Sequence, residues 1–237
     1  MKPIFETGLT LALSPLLIAQ SAWVIKRAQR LPEPTGPRSG KIGTGPDLRL
    51  LVIGDSSAAG VGVQTQDQAL TPQLARHLSV DRAVSWHLAA RNGATSADAP
   101  GLLDLVKGHE FDVVFVIFGV NDTKNLRRQS HWRRDVSELL NRLRSDFGAP
   151  KIFVSGLPPI RDFPLLPNPL RSMFAWRAAR FDKVLKQITV AENCAYLPID
   201  VSLNSDHMAK DGFHPGPKIY TQWAELAAPR IRSVIMR

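Results

Sequence analysis

The sequence predicts an α/β protein, a three-layer α/β/α sandwich on a parallel five-stranded sheet. Three observations predict it. From Arg49 onward, short apolar runs alternate with stretches of helical periodicity. The runs are nearly continuous, as in Asp112 to Phe118 (DVVFVIF), which requires cover on both faces of the sheet. At 237 residues, with 44% hydrophobic and 22% charged side chains, the chain suits one main domain with a real core and a small appendage.

Thr7 to Ile25 carries no charged side chain, and Lys26, Arg27 and Arg30 follow it. As a helix rising about 1.5 Å per residue, it is just long enough for a hydrocarbon core of about 30 Å. Residues 1–30 are therefore read as a membrane anchor, with membrane association through residues 7–25. Two other readings fit the same residues. One is a cleaved signal peptide with Ala19-Gln20-Ser21 as its small-residue site; the other is a helix packed on the domain. The basic residues after the stretch favour a cytoplasmic main domain by the positive-inside bias, whereas a signal peptide would export it. Residues 31–47 (LPEPTGPRSGKIGTGPD) are rich in Pro and Gly and read as a linker, so the folded domain is expected over 48–237.

Within that domain Arg49 to Ile53 is a strand ending at Gly54. Leu70 to Leu78 has a helical period, Val84 to Leu88 is a strand and Ala97 to Val106 a helix. Asp112 to Phe118 is the clearest buried strand. Ser130 to Phe147 is an amphipathic helix with Val136, Leu139, Leu140 and Leu143 on one stripe. Lys151 to Val154 is the fourth strand, Pro169 to Glu192 a long helix and Ala195 to Ile199 the fifth strand. Lys218 to Ile235 closes the chain as a helix. Crossovers between parallel strands are right-handed, and ligands of such sheets sit outside the carboxyl ends of the strands.

Four islands carry chemistry: Gly54-Asp55-Ser56, Asn92-Gly93, Gly119-Val120-Asn121-Asp122 and Asp211-Gly212-Phe213-His214-Pro215. The first and third directly follow strands, on the edge where a ligand is expected. Ser56 is a candidate nucleophile on a glycine-rich bend, with Ser57 as its competitor. Asp55, adjacent in sequence, is suited to holding the turn rather than to orienting a base. Asp211 and His214 are three apart in a turn, which lets the carboxylate take one ring nitrogen and leaves the other for the serine proton. Asp206 and His207 are a neighbouring pair in a poorer arrangement. Gly93, through its N–H, and Asn121, through its amide, are candidate donors to an oxyanion together with the Ser56 N–H. Gly54, Asp55, Gly119 and Asp122 support them.

These islands resemble the motif blocks of the SGNH hydrolases, also called the GDSL esterase/lipase family. Ser56 matches the nucleophile position, Gly93 the second-block glycine, Asn121 the Gly-x-Asn-Asp asparagine, and Asp211 and His214 the Asp-x-x-His block. Ser57 stands where many members have leucine, and Ala94-Thr95-Ser96 follows Gly93 without the additional glycine often found there. The resemblance spans about residues 48–237. It implies a flavodoxin-like sheet, ester hydrolysis through an acyl-enzyme, and no metal or cofactor. The substrate class it implies is a small-molecule or lipid ester, with carbohydrate O-deacetylation and lysophospholipase or thioesterase chemistry as variants. A non-catalytic binding protein of the same fold is the alternative from another class.

The net charge of +9 is spread along the chain without a recognisable nucleic-acid module, so no nucleic-acid partner is expected. The single cysteine, Cys194, excludes an intrachain disulfide framework. Loop residues Ile160, Phe163, Leu165 and Leu166 offer an apolar rim for an acyl chain. Acyl length and oligomeric state leave no mark in the sequence.

Overall fold

The computed structural model describes residues 3–148, 150–201 and 203–235, with side chains described from residue 13 onward. The strands are β1 (Ser39–Ile42), β2 (Asp47–Gly54), β3 (Ala83–Ala90), β4 (Val113–Ile117), β5 (Lys151–Ser155) and β6 (Ala195–Leu197). They form one sheet in the order β1-β3-β2-β4-β5-β6, so the sheet has six strands rather than five. The pairs from β3 through β6 are all parallel, and their order is flavodoxin-like. The extra strand, β1, is an antiparallel edge on β3. Its residues, SGKI, lie in the stretch read as a linker and stay largely exposed, so they carry no alternation that marks a strand. Gly40 lies flat on the Trp86 ring, where a Cβ would come within 2.9 Å of ring atoms.

The helices are α1 (Pro3–Arg27), α2 (Ser56–Ala59), α3 (Leu70–Leu78), α4 (Ala99–Asp104), α5 (Val120–Lys124), α6 (Gln129–Asp146), α7 (Leu170–Ala191) and α8 (Pro217–Ile235). Successive strand residues point to opposite faces. Along β2, Leu50 and Val52 join a core with Leu74 of α3 and Trp223 of α8. Leu51 and Ile53 join a second core with Leu103 of α4 and Leu140 of α6. All four β2 side chains are completely buried, which accounts for the unbroken apolar run. Each such side chain contributes about 1.5–3 kcal/mol through burial. In α6 the expected stripe of Val136, Leu139, Leu140 and Leu143 is buried, joined by Trp132.

The expected membrane anchor over residues 7–25 is corrected by the structure. Among the described residues, no helix is long and apolar enough to cross a membrane. The positive-inside argument for a cytoplasmic domain therefore has no span to act on. Instead α1 lies on the domain: Leu17 is buried in the first core, and Leu13 and Val24 pack against it. Gln20, polar in the middle of the apolar stretch, explains the difference. Its Nε2 donates to the Asn168 carbonyl (2.6 Å) and its Oε1 accepts from the Leu170 N–H (3.0 Å). The Pro/Gly-rich segment is also tied down. The Thr35 N–H donates to the Gln64 carbonyl, and the Thr35 carbonyl accepts from the Gln66 N–H. Pro34 is buried beside Gly60. Few donors and fixed proline φ angles suit an extended strap as well as a loose linker.

Candidate active site

β2 pairs with β3 on one side and β4 on the other, so the chain opens a crevice at its carboxyl end. Gly54 ends the strand against β4: a Cβ there would sit 2.3 Å from the Ile117 carbonyl oxygen. The Asp55 N–H donates to that same oxygen at 3.0 Å. Asp55 then caps the short helix α2, with Oδ1 accepting from the Ser57 N–H at 2.9 Å. This turn puts Ser56 at the head of α2, facing the crevice. Burial pushes the Asp55 carboxyl up to about 6, against the lowering effects of the Ser57 N–H and the nearby His214.

The second half of the constellation arrives from the loop before α8. Asp211 Oδ1 accepts from the Phe213 and His214 N–H groups, both at 3.0 Å, which fixes the carboxylate in a tight turn. Its other oxygen, Oδ2, lies 2.5 Å from His214 Nδ1. On the far side of the ring, His214 Nε2 lies 3.0 Å from Ser56 Oγ. Burial alone would raise the Asp211 carboxyl, but hydrogen bonds from the His214 side chain and backbone outweigh it and hold the group below its ordinary value. The His214 ring also stands edge-on to Phe213, which is edge-on to Phe163.

Asn121 and Asp122 tie the loops after β3 and β4 together. Asn121, almost fully buried, donates one Nδ2 hydrogen to the Ala94 carbonyl at 3.0 Å, which leaves its second amide hydrogen available. Asp122 accepts from the Ser96 hydroxyl (2.7 Å) and N–H (3.1 Å), with Arg127 3.8 Å away. Burial raises its carboxyl above the ordinary range despite these partners. Gly119, at φ +132, takes a backbone conformation open to glycine at the turn from β4 into α5.

Ser56, Asn121, Asp211 and His214 line one cleft of about 550 Å³. Gly93 lies one residue beyond Asn92, which lines that cleft, and adopts φ +80 with open space on its Cα side. Gly54, Asp55, Gly119 and Asp122 stand behind the cleft as supports. The neighbouring Asp206 and His207 form no comparable chain of contacts: Asp206 accepts from the Ser205 hydroxyl at 3.2 Å, and His207 Nδ1 is buried without a hydrogen-bond partner. Cys194 is half-buried beside Arg144, and burial raises its thiol. Among the described residues, no group of three or more His, Cys, Asp or Glu side chains is placed to hold a metal ion.

The apolar walls were only partly legible. Ile160, Leu165 and Leu166 of the expected rim line the cleft, joined by Leu170 and Phe174 of α7. Phe163 is buried behind them. Val24, Ala28 and Leu31 line the cleft too, which the sequence does not reveal, because residues 1–30 read as a membrane anchor and 31–47 as a linker. Glu33 was missed as well. Its Oε1 accepts from the Asn92 N–H at 2.6 Å, and Arg38 pairs with its other oxygen at 2.8 Å.

The profile of the GDSL-like lipase/acylhydrolase family matches residues 52–222. A GDSL-like esterase of Mycobacterium tuberculosis is 24% identical over 200 residues, which make up 80% of this chain and 63% of that protein. The chain thus spans less than two thirds of that relative's length. The psychrotrophic esterase EstA from Pseudoalteromonas sp. aligns with a TM-score of 0.65 at 18% identity, over 80% of this chain and 99% of that one. An aryl esterase of M. smegmatis gives 0.65 at 20% identity, over 78% and 99%. A carbohydrate acetylesterase family member from Sinorhizobium meliloti gives 0.64 at 18%, over 80% and 100%. The structural likenesses carry the fold. The profile match runs from inside β2, just before Ser56, to past His214 and takes in each of the four islands, so this chain belongs to the GDSL-like lipase/acylhydrolase family.

Proposed function

We propose that the protein is a serine carboxylic-ester hydrolase that works through an acyl-enzyme. Ser56 is the nucleophile, His214 the general base and Asp211 the carboxylate that orients it. The observation that carries this reading is the continuous line from Ser56 Oγ to His214 Nε2 (3.0 Å) and from His214 Nδ1 to Asp211 (2.5 Å). With Nδ1–H committed to Asp211, Nε2 is left as the acceptor for the serine proton.

In the first step Ser56 Oγ bonds to the ester carbonyl carbon as its proton passes to His214 Nε2. The Ser56 and Gly93 N–H groups and the free Asn121 amide hydrogen receive the negative oxygen. The C–O bond to the alcohol then breaks, and His214 returns the proton to the departing oxygen. Water repeats the sequence with His214 as base and releases the carboxylic acid. No cofactor enters either step.

The cleft lining supports a carboxylic ester with an apolar acyl group, whether a small molecule or a lipid. The test compares hydrolysis of p-nitrophenyl acyl esters by the full chain and by its Ser56→Ala variant. Turnover by the wild type that falls about 10⁴-fold or more in the variant is the expected result. Equal turnover in both, or none in a folded wild-type protein, overturns the reading.

A further inference from the structure

We propose that the N-terminal strap, from Gln20 to Leu31, is the acyl-side wall of the catalytic cleft and sets the length of acyl chain the enzyme accepts, with Val24 and Ala28 as the selecting residues. This rests on the esterase reading of the same cleft. It assigns a substrate-selecting role to a segment that lies outside the family match, which begins at residue 52.

Three observations lead to it. First, Ser21, Val24 and Ala28 recur at the i, i+3, i+7 spacing of one helix face, and all three line the cleft that holds Ser56 and His214. The Ala28 N–H still donates to the Val24 carbonyl at 2.6 Å, so the face continues past the last helical residue. Second, the cleft takes further apolar lining from the body of the domain: Leu165, Leu166, Leu170 and Phe174. An acyl chain lying between these residues and the strap loses water on both sides, more so as it lengthens. Third, the strap is fastened on both sides of the cleft. Gln20 grips the Asn168 carbonyl and the Leu170 N–H, beside that apolar lining. Beyond the cleft, the Leu31 carbonyl accepts from Asn92 Nδ2 at 3.3 Å, and Glu33 accepts from the Asn92 N–H at 2.6 Å. Asn92 precedes Gly93, so the strap and the proposed oxyanion loop share an anchor.

The strap also packs on the core, and a purely structural role must be separated from a selecting one. Leu17 marks the packing role: it is buried in the core and does not line the cleft. Ala28 and Val24 mark the selecting role. A tryptophan at Ala28 fills part of the cleft, and an alanine at Val24 enlarges it.

The experiment measures kcat/KM of the full chain over p-nitrophenyl esters from acetate to decanoate for Ala28→Trp, Val24→Ala and Leu17→Ala, with melting temperatures alongside. The decanoate-to-acetate ratio is expected to fall about tenfold or more in Ala28→Trp and to rise in Val24→Ala. Leu17→Ala is expected to lower the melting temperature and leave that ratio within about twofold. A second arm needs no turnover: calorimetric binding of decanoic acid to the Ser56→Ala protein with and without Ala28→Trp. Weaker binding with the tryptophan supports the wall even if no ester is hydrolysed, in which case the esterase reading fails and the wall stands. Ratios unchanged in both Ala28→Trp and Val24→Ala, in folded proteins, overturn the proposal. So does a dependence on alcohol length, measured with alkyl acetates, that replaces the dependence on acyl length.

Discussion

At the carboxyl ends of β2 and β4, side chains are aimed by main-chain geometry. Gly54 passes within contact of the Ile117 carbonyl, Asp55 caps the turn, and Gly119 takes φ +132 before Asn121. Across the cleft, the strap is aimed by apolar contact and a few side-chain clamps: Leu17 in the core, Gln20 on Asn168 and Leu170, and Glu33 on Asn92. The two regions border the same 550 Å³ space. The first tolerates few changes of residue type, because a side chain at Gly54 would meet the Ile117 carbonyl and only a short polar side chain reproduces the Asp55 cap. The second tolerates many, because any apolar residue of similar size keeps the contact. Chemistry is therefore expected to depend on the strand ends and selectivity on the strap.

The sharpest way to break this contrast is at the strand ends. His214→Ala removes the proposed base and is expected to lower kcat by about 10⁴-fold or more in a protein that still folds. Steady-state kinetics with a short ester checks it. A smaller loss is expected from Asn121→Ala, about 10²- to 10³-fold in kcat with KM nearly constant, if, as proposed, its free amide hydrogen acts only on the oxyanion. That variant also strips the Ala94 carbonyl of its buried donor, at a cost of about 1–3 kcal/mol in stability by chemical denaturation. A rise in KM instead of a fall in kcat would assign Asn121 to ground-state binding.

The same contrast explains what the sequence revealed. β2 and β4 announced themselves because burial on both faces demands continuous apolar runs, and α6 because its Val136–Leu143 stripe faces one core. Ser56, Asp211 and His214 stand out as candidates because turns that expose a hydroxyl or bring a carboxylate to a ring need Gly, Asp and Ser at fixed spacings, and the structure brings the three side chains together. β1 was not legible: an exposed edge strand has no alternation to read. The strap was misread for a related reason. An apolar helix that packs on a domain and one that crosses a bilayer share a composition, and only Pro15, Gln20 and the polar Ser and Thr residues of the stretch point to protein rather than lipid as the neighbour. Glu33 carries its information in a partner 59 residues away, which spacing cannot reveal.

Asp55 tests whether the strand ends sacrifice stability for function. Burial raises its carboxyl from 3.8 to about 6. Between those two values the unfolded chain releases the proton before the folded one does, so the contribution of this group to stability falls as pH rises across the interval and stays low above it. Asp55→Asn keeps an oxygen for the Ser57 N–H and removes the charge. The variant is expected to gain about 2–3 kcal/mol over wild type above pH ~6 and to lose that advantage below pH ~4, by urea melts across pH. A cation formed on the His214 ring during the proposed turnover is attracted to the nearby Asp55 charge, so kcat is expected to fall roughly tenfold in the more stable variant. A variant that is both more stable and fully active would separate the buried charge from catalysis.

The smallest effect is expected from the clamp on the strap. Gln20→Ala removes two hydrogen bonds, one from a partly buried N–H at Leu170 and one to an exposed carbonyl at Asn168. Water replaces the partner of the exposed carbonyl without difficulty, and the Leu170 N–H sits at the first turn of α7, where a free donor is cheapest to hydrate. The net loss of stability is therefore about 1 kcal/mol. The strap keeps its Leu17 contact and its attachment at Asn92, so the cleft is not dismantled; its wall gains freedom only near residues 20–24. Long acyl esters, which need that wall, are expected to show a KM raised about threefold, while acetate shows no change in kcat, because nothing that touches Ser56 or His214 has moved. A uniform loss on all esters would mean that the strap acts through Asn92 on the oxyanion loop, and the division between chemistry at the strand ends and selectivity at the strap would have to be redrawn around that shared anchor.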